Sequence, residues 1–173
     1  MRQQTTTLTC EECGNHALEK RGAGLYLCTL CGAPNGDDDA VKRELLRREA
    51  KEEGYEIEIF PLVKAIRALK GVGVESAVAG DPFMRVPPYL RFTISDNRLT
   101  QLDNIMHSLE LSRRALNRLW HVKVNLERSI YFELAPVVDP HTIGENDVEA
   151  LQIDLATLAA SIKRDANLGW WRK

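Results

Sequence analysis

The strongest periodicity in the chain lies near its end. Val148, Leu151, Leu155, Leu158, Ala159 and Ile162 recur at helical spacing behind Asn146 and Glu149, which reads as one buried face of an α-helix. A second stripe, Leu102, Ile105, Met106, Leu109 and Leu116, follows Thr100 and Asp103, a start that looks like a capping box. A third helix runs from Pro61, suited to a first helical turn, to a stop at Gly71. Elsewhere the period is two. Residues 89–94, 121–126 and 129–135 alternate, the last two as a hairpin around Glu127 and Arg128. Residues 72–79 read as a strand broken by Gly80-Asp81-Pro82, and residues 55–59 alternate as a further short strand. Helix, strand, strand therefore occurs twice before a closing helix. That order predicts an α+β fold, an antiparallel sheet with helices on one face.

Ahead of this block the pattern is different. Residues 37–54 open on three aspartates, contain good helix formers and close on Gly54. They predict a helix with only a narrow apolar stripe, Val41, Leu45, Leu46 and Ala50, as expected of a solvated connector. The chain divides on this reading into an N-terminal module at 1–36, a connector helix at 37–54 and an α+β domain at 55–173 with a basic, aromatic tail.

At 173 residues there is room for one sizeable core and a small appendage. With 44% hydrophobic residues, the chain has enough apolar surface to fold throughout. The formal charge of −2 disfavours strong non-specific attraction to nucleic acid, so any such contact must come from a local patch. The opening MRQQTTTLTC has no apolar run of leader length, and no later stretch reaches the roughly 18 apolar residues needed to span a bilayer. A cytoplasmic location and no membrane partner are expected.

In a reducing compartment, paired thiols point to metal or redox chemistry. All four cysteines form two Cys-x-x-Cys units, Cys10/Cys13 and Cys28/Cys31, with fourteen residues between them and each followed by a glycine. Each unit offers two sulfurs from one tight turn, and four sulfurs satisfy a tetrahedral zinc. Between them, residues 16–20 and 24–27 flank Arg21-Gly22-Ala23-Gly24 as a hairpin. A thioredoxin-like redox pair would need a βαβ context that is missing, and His16 is read as a hairpin residue because four thiols already fill the shell. Residues 10–32 resemble a zinc ribbon. The resemblance implies one structural zinc in a closed site, with no open position for water or substrate.

The run Ser76-Ala77-Val78-Ala79-Gly80-Asp81, with the element order around it, makes residues 58–165 similar in outline to the small α+β domain of the wybutosine-synthesis methyltransferases. These modify transfer RNA with S-adenosylmethionine. The family's strand end carries a thiol where Val78 stands here, so the resemblance implies the backbone turn without its reactive side chain, and binding without catalysis. Read as residues alone, Gly80-Asp81-Pro82 is simply a turn. His107, His121 and His141 have no Ser, Cys or carboxylate at a spacing that forces a catalytic pair.

Candidate partner contacts are cationic or aromatic. Lys20 and Arg21 tip the ribbon hairpin, and Arg114 and Arg118 share the polar side of a helix continued through Leu116. On that wheel Arg113 falls in the apolar stripe, so it either snorkels or marks an early helix end. Trp170, Trp171, Arg172 and Lys173 close the chain, a pairing suited to base stacking with phosphate contacts; the same tryptophans could instead cover a hydrophobic edge. The expectation is a non-catalytic zinc-ribbon protein that binds RNA or DNA within a larger assembly. The alternatives are a protein-protein adaptor and an RNA-modifying enzyme using S-adenosylmethionine.

Overall fold

The computed structural model describes residues 9–14, 16–126, 129–139 and 141–167, and the chain divides into two compact units, 1–53 and 54–173. In the first unit the ribbon hairpin forms as β1 (Leu18–Gly22) and β2 (Leu25–Cys28), antiparallel and opposing Leu18 to Cys28. Gly24 turns the chain at φ +72°. A third strand, β3 (Pro34–Gly36), pairs along the other side of β2 and was not foreseen from its Pro-Asn-Gly sequence. Pro34 fits there because a strand at the edge of a sheet does not require every N–H. Helix α1 (Asp38–Glu52) starts under an Asp37 cap, whose side chain accepts from the Asp39 N–H at 3.0 Å. Of the foreseen stripe only Ala50 is buried.

The second unit holds α2 (Phe60–Arg67), β4 (Val72–Val78), β5 (Tyr89–Ile94), α3 (Thr100–Ser112), β6 (Trp120–Leu126), β7 (Ile130–Pro136) and α4 (Glu145–Asn167). The four strands are antiparallel in the order β4-β5-β7-β6, with the helices on one face. The expected α+β architecture, helix-strand-strand twice and a closing helix, is what the chain adopts. Its core is the face carrying Leu90 and Phe92 of β5 opposite Leu134 and Phe132 of β7. The two phenylalanine rings stack at 5.5 Å. All six residues of the α4 stripe are buried, and each of its Val, Leu and Ile side chains contributes roughly 1.5–3 kcal/mol.

Four local expectations are corrected. Residues 55–59 form no strand: the Phe60 N–H bonds back to the Glu56 carbonyl at 3.1 Å, and Ile59, fully buried, caps α2. The capping box at Thr100 is not used. A short 3-10 turn (Asp96–Arg98) leads directly into α3, which starts behind Leu99 with no side-chain cap. Helix α3 also ends earlier than its stripe suggests. After Ser112 the chain passes through a 3-10 turn (Arg113–Ala115) and is extended at Leu116. The last helix opens at Glu145, one residue before Asn146. The hairpin residues Glu127 and Arg128 and the tail from residue 168 lie outside the described residues.

One buried carboxylate fixes where β6 begins. Asp154 of α4 is 0% exposed and accepts from the Asn117 N–H and side-chain amide (2.8 Å each), the Arg118 N–H (3.2 Å) and the Trp120 indole N–H (3.1 Å). The carboxyl group is tolerated inside because both of its oxygens accept hydrogen bonds. This binds the α3–β6 connection to α4 and sets the register from which His121 and Lys123 follow.

Candidate metal centre and binding surfaces

Each Cys-x-x-Cys unit forms a tight turn. The Gly14 N–H bonds to the Cys10 carbonyl at 2.8 Å and the Gly32 N–H to the Cys28 carbonyl at 2.9 Å. Gly14 and Gly32 have φ of +71° and +72°, a conformation open to glycine without steric cost. The two turns bring all four Sγ atoms within 4.8 Å of one another, with Cys10 to Cys31 at 3.7 Å and Cys13 to Cys28 at 3.6 Å. A tetrahedral zinc with bonds of about 2.3 Å needs sulfurs roughly 3.8 Å apart, so Cys10, Cys13, Cys28 and Cys31 fit the ion. Cys10 and Cys28 are buried, and Cys13 and Cys31 are exposed.

Asn35, which the sequence did not single out, is the outer support of this centre. It is buried, accepts from the Glu11 N–H at 3.0 Å, and donates to the Ala33 carbonyl at 2.9 Å and to Cys10 Sγ at 3.6 Å. Such a contact stabilises a thiolate and orients it. The Cys10 thiol is held below its ordinary value first by the Cys13 backbone N–H, against the cost of burial. Arg48 of α1 donates to the Gly32 carbonyl at 2.9 Å and to Glu44 at 3.1 Å, tying the second knuckle to the helix. His16 bonds Thr9 through Nδ1 at 3.1 Å and is not in the thiol cluster.

The proposed cationic contacts are drawn from both units. Lys20 and Arg21 belong to the first unit, and Arg21 is paired with Glu19 at 2.8 Å. In the second unit, Arg118 pairs with Asp147. The Gly144 N–H, and then Arg118, hold the Asp147 carboxyl below its ordinary value. Because α3 ends at Ser112, Arg114 and Arg118 are not on one helical face; Arg114 sits exposed in the 3-10 turn. Arg113 pairs with Glu110 at 3.7 Å, which settles it as a helix-end residue. Trp170, Trp171, Arg172 and Lys173 lie outside the described residues.

Two surfaces emerge that the sequence did not signal. One is a cleft of about 390 Å³ between α3 and β6, lined by Met106, Leu109, Leu119, Trp120, Val122 and Arg113 among others. The second is the sheet face opposite the core. There Arg91 stacks over Tyr89 at 5.1 Å and Tyr131 at 5.3 Å and donates from Nε to Glu133 at 2.9 Å. Register places Ser76, Arg91, Glu133 and Lys123 in one row across all four strands. The Glu133 contact, the largest influence, raises the Arg91 pKa further above its ordinary value. Only the period-two alternation of residues 89–94 and 129–135 pointed toward this face.

No family model, curated protein or solved structure matches the chain, and so none carries the likeness of residues 58–165 to the wybutosine-synthesis enzymes. What is established is a four-cysteine cluster able to hold a metal ion, followed by a helix and an antiparallel sheet flanked by helices. Among the described residues no helix is long and apolar enough to cross a membrane.

Proposed function

We propose that this is a cytoplasmic, non-catalytic nucleic-acid-binding protein whose N-terminal unit is a zinc ribbon with one structural ion. The observation that carries the reading is the stacked Tyr89, Arg91 and Tyr131 group on a sheet face bearing a further exposed cation, Lys123. Planar cationic and aromatic groups on an open surface suit bases and phosphates. The four-thiol set supports a scaffold role for the metal, since complete sulfur ligation leaves no position for a reacting group. The ribbon contributes shape, and its tip cation Lys20 adds a contact. In this reading Arg114, Arg118 and the tail residues Trp170, Trp171, Arg172 and Lys173 serve as secondary contacts.

The test is purification from the native host with and without nuclease, followed by low-salt binding of the zinc-loaded protein to single- and double-stranded RNA and DNA. Recovery of bound nucleic acid and salt-sensitive affinity are expected. No detectable binding to any of the four would overturn the proposal. A protein adaptor is the second reading, favoured by the apolar cleft between α3 and β6. It predicts one stoichiometric protein partner whose recovery is indifferent to nuclease.

A further inference from the structure

The hairpin end of β4 and β5, where Val78 pairs with Tyr89, leads into an unusual loop. Residues 79–88 are tightly built. Asp81 and Val86 exchange backbone hydrogen bonds at 2.9 Å each, and the Asp81 side chain accepts from the Met84 N–H at 3.0 Å. The base is anchored by Glu56, which accepts from the Ala79 N–H at 2.6 Å, and by Gln152, which donates to the Gly80 carbonyl at 3.1 Å. Yet the tip presents Phe83 at 82% exposure, Met84 beside it, and Arg85 at φ +56°. A rigid loop that holds an aromatic ring in water gains nothing for its own fold from that ring.

At the other edge of the open sheet face lie His121, Lys123 and Asn125 on β6, opposite Ala135, Glu133 and Tyr131. His121 Nδ1 and Asn125 Nδ2 are buried and have no hydrogen-bond partner among the described residues. Buried polar atoms are nearly always satisfied, so two on one strand and one face ask for a ligand. Between the edges, Tyr131 is 7% exposed because the Arg91 side chain covers it, while that side chain is itself 40% exposed. The tyrosine rings lie 5.1 and 5.3 Å from the guanidinium carbon and back it on the sheet, which leaves the exposed part of Arg91 as the stacking surface. Glu133 orients Arg91, leaving Lys123 as the second cation.

Resting on the nucleic-acid reading, we infer that this face binds single-stranded RNA, which crosses the sheet from Phe83 over Tyr89 and Arg91 to Lys123, His121 and Asn125. Stacking groups on an open sheet can take splayed bases and cannot reach bases paired inside a duplex. The two cations match the phosphates of a short segment. RNA is preferred to DNA because the ribose 2′-hydroxyl, both donor and acceptor, can take up the unmet role of His121 Nδ1 or Asn125 Nδ2 once binding displaces the side chains that cover them.

The test uses the full zinc-loaded chain and a fluorescein-labelled ten-nucleotide poly-U RNA, its poly-dT counterpart and a duplex, measured by anisotropy over a salt series. Phe83→Ala, at an exposed tip, should weaken RNA binding by about 5- to 150-fold, the range of one lost stack. Arg91→Lys keeps charge but loses the plane, and should weaken binding while preserving the salt slope. Lys123→Ala should reduce that slope by about 0.7, one phosphate contact on a single strand. Circular dichroism of each variant checks the fold, and Phe83→Ala remains informative if Arg91→Lys unfolds. Wild-type RNA binding unchanged in Phe83→Ala and Lys123→Ala would overturn this site and leave the nucleic-acid reading standing. Poly-dT bound as tightly as poly-U would overturn the RNA assignment. No binding of any probe would overturn both readings.

Discussion

Replacing Asp154 should be among the most damaging single changes in the second unit. The carboxylate is fully buried and accepts four hydrogen bonds from Asn117, Arg118 and Trp120. Asp154→Ala removes every acceptor and leaves the donors facing a small void. A buried donor left unsatisfied costs roughly 1–3 kcal/mol. The Asn117 side-chain amide contact to Ala150 is exposed, so water can rescue that group. The indole N–H of Trp120 and the backbone N–H groups of Asn117 and Arg118 are less accessible, and together they put the loss at about 4 kcal/mol. That lies in the exceptional tail of point mutations and is a large part of the roughly 5–15 kcal/mol that holds a domain together.

Urea unfolding followed by circular dichroism measures this directly. With a slope of about 2 kcal/mol per molar, Asp154→Ala should lower the midpoint by about 2 M. Asp154→Asn keeps one carbonyl oxygen but turns an NH₂ toward donors, and should lose roughly half as much. A fall of under about 1 kcal/mol for the alanine variant, the size of an ordinary substitution, would refute the view that this carboxylate pins the α3–β6 connection.

The metal-loaded protein should contain one zinc per chain, and cobalt in its place should give the visible bands of a tetrahedral four-thiolate site; Cys28→Ser should lose stoichiometric metal, and a cobalt spectrum with a solvent ligand would contradict the closed centre. Chelation should expose the amides of β1 to β3 to hydrogen exchange, and unchanged protection there would show that the ribbon folds without metal. Gly80→Ala should lower the melting temperature by roughly 5–10 °C, because φ is +85° and a Cβ would lie 2.8 Å from the Val86 carbonyl oxygen; an unchanged melt would mean that the loop relaxes freely. His121 is held below its ordinary value of 6.5 first by burial and then by Lys123. The unfolded chain therefore binds this proton more readily, so stability is full above about pH 6.5 and falls as pH drops through the depressed folded value. His121→Gln should flatten that part of the profile, and an unaltered profile would remove His121 as its source. Asp147, also depressed, loses its contribution only at lower pH, below 3.8.

The elements were legible wherever a local period was unbroken. Residues 89–94 became β5 and the six-residue stripe became the buried face of α4 because burial on one side is written into spacing alone. Reading failed where tertiary partners decide. Residues 55–59 alternate, but Ile59 is claimed by the core and Glu56 by Ala79, so the segment turns. Leu116 matched a helical stripe, but Asp154, thirty-eight positions later in the chain, captures the neighbouring backbone and draws the segment out of the helix. The thiol cluster was readable because its ligands come in two local turns, whereas Asn35, which supports Cys10 from twenty-five residues away, left no signal.

The same logic explains why the cations chosen from sequence differ from those the sheet displays. Arg114 and Arg118 were selected by helical spacing, a rule that lapses once the helix ends at Ser112. Arg91 looked like an ordinary polar position in an alternating strand. Its distinction comes only from the register that sets it beside Glu133, forty-two residues away, and over the ring of Tyr131. Charge density in the sequence favours exposed basic runs, but a guanidinium held by a carboxylate and backed by aromatic rings loses less freedom on binding than a loose lysine. With a formal charge of −2 on the whole chain, affinity for an anionic strand must depend on such preorganisation. Its salt dependence should therefore be shallow, matching two phosphate contacts and not many. A steep slope, corresponding to six or more phosphates, would place the binding surface elsewhere.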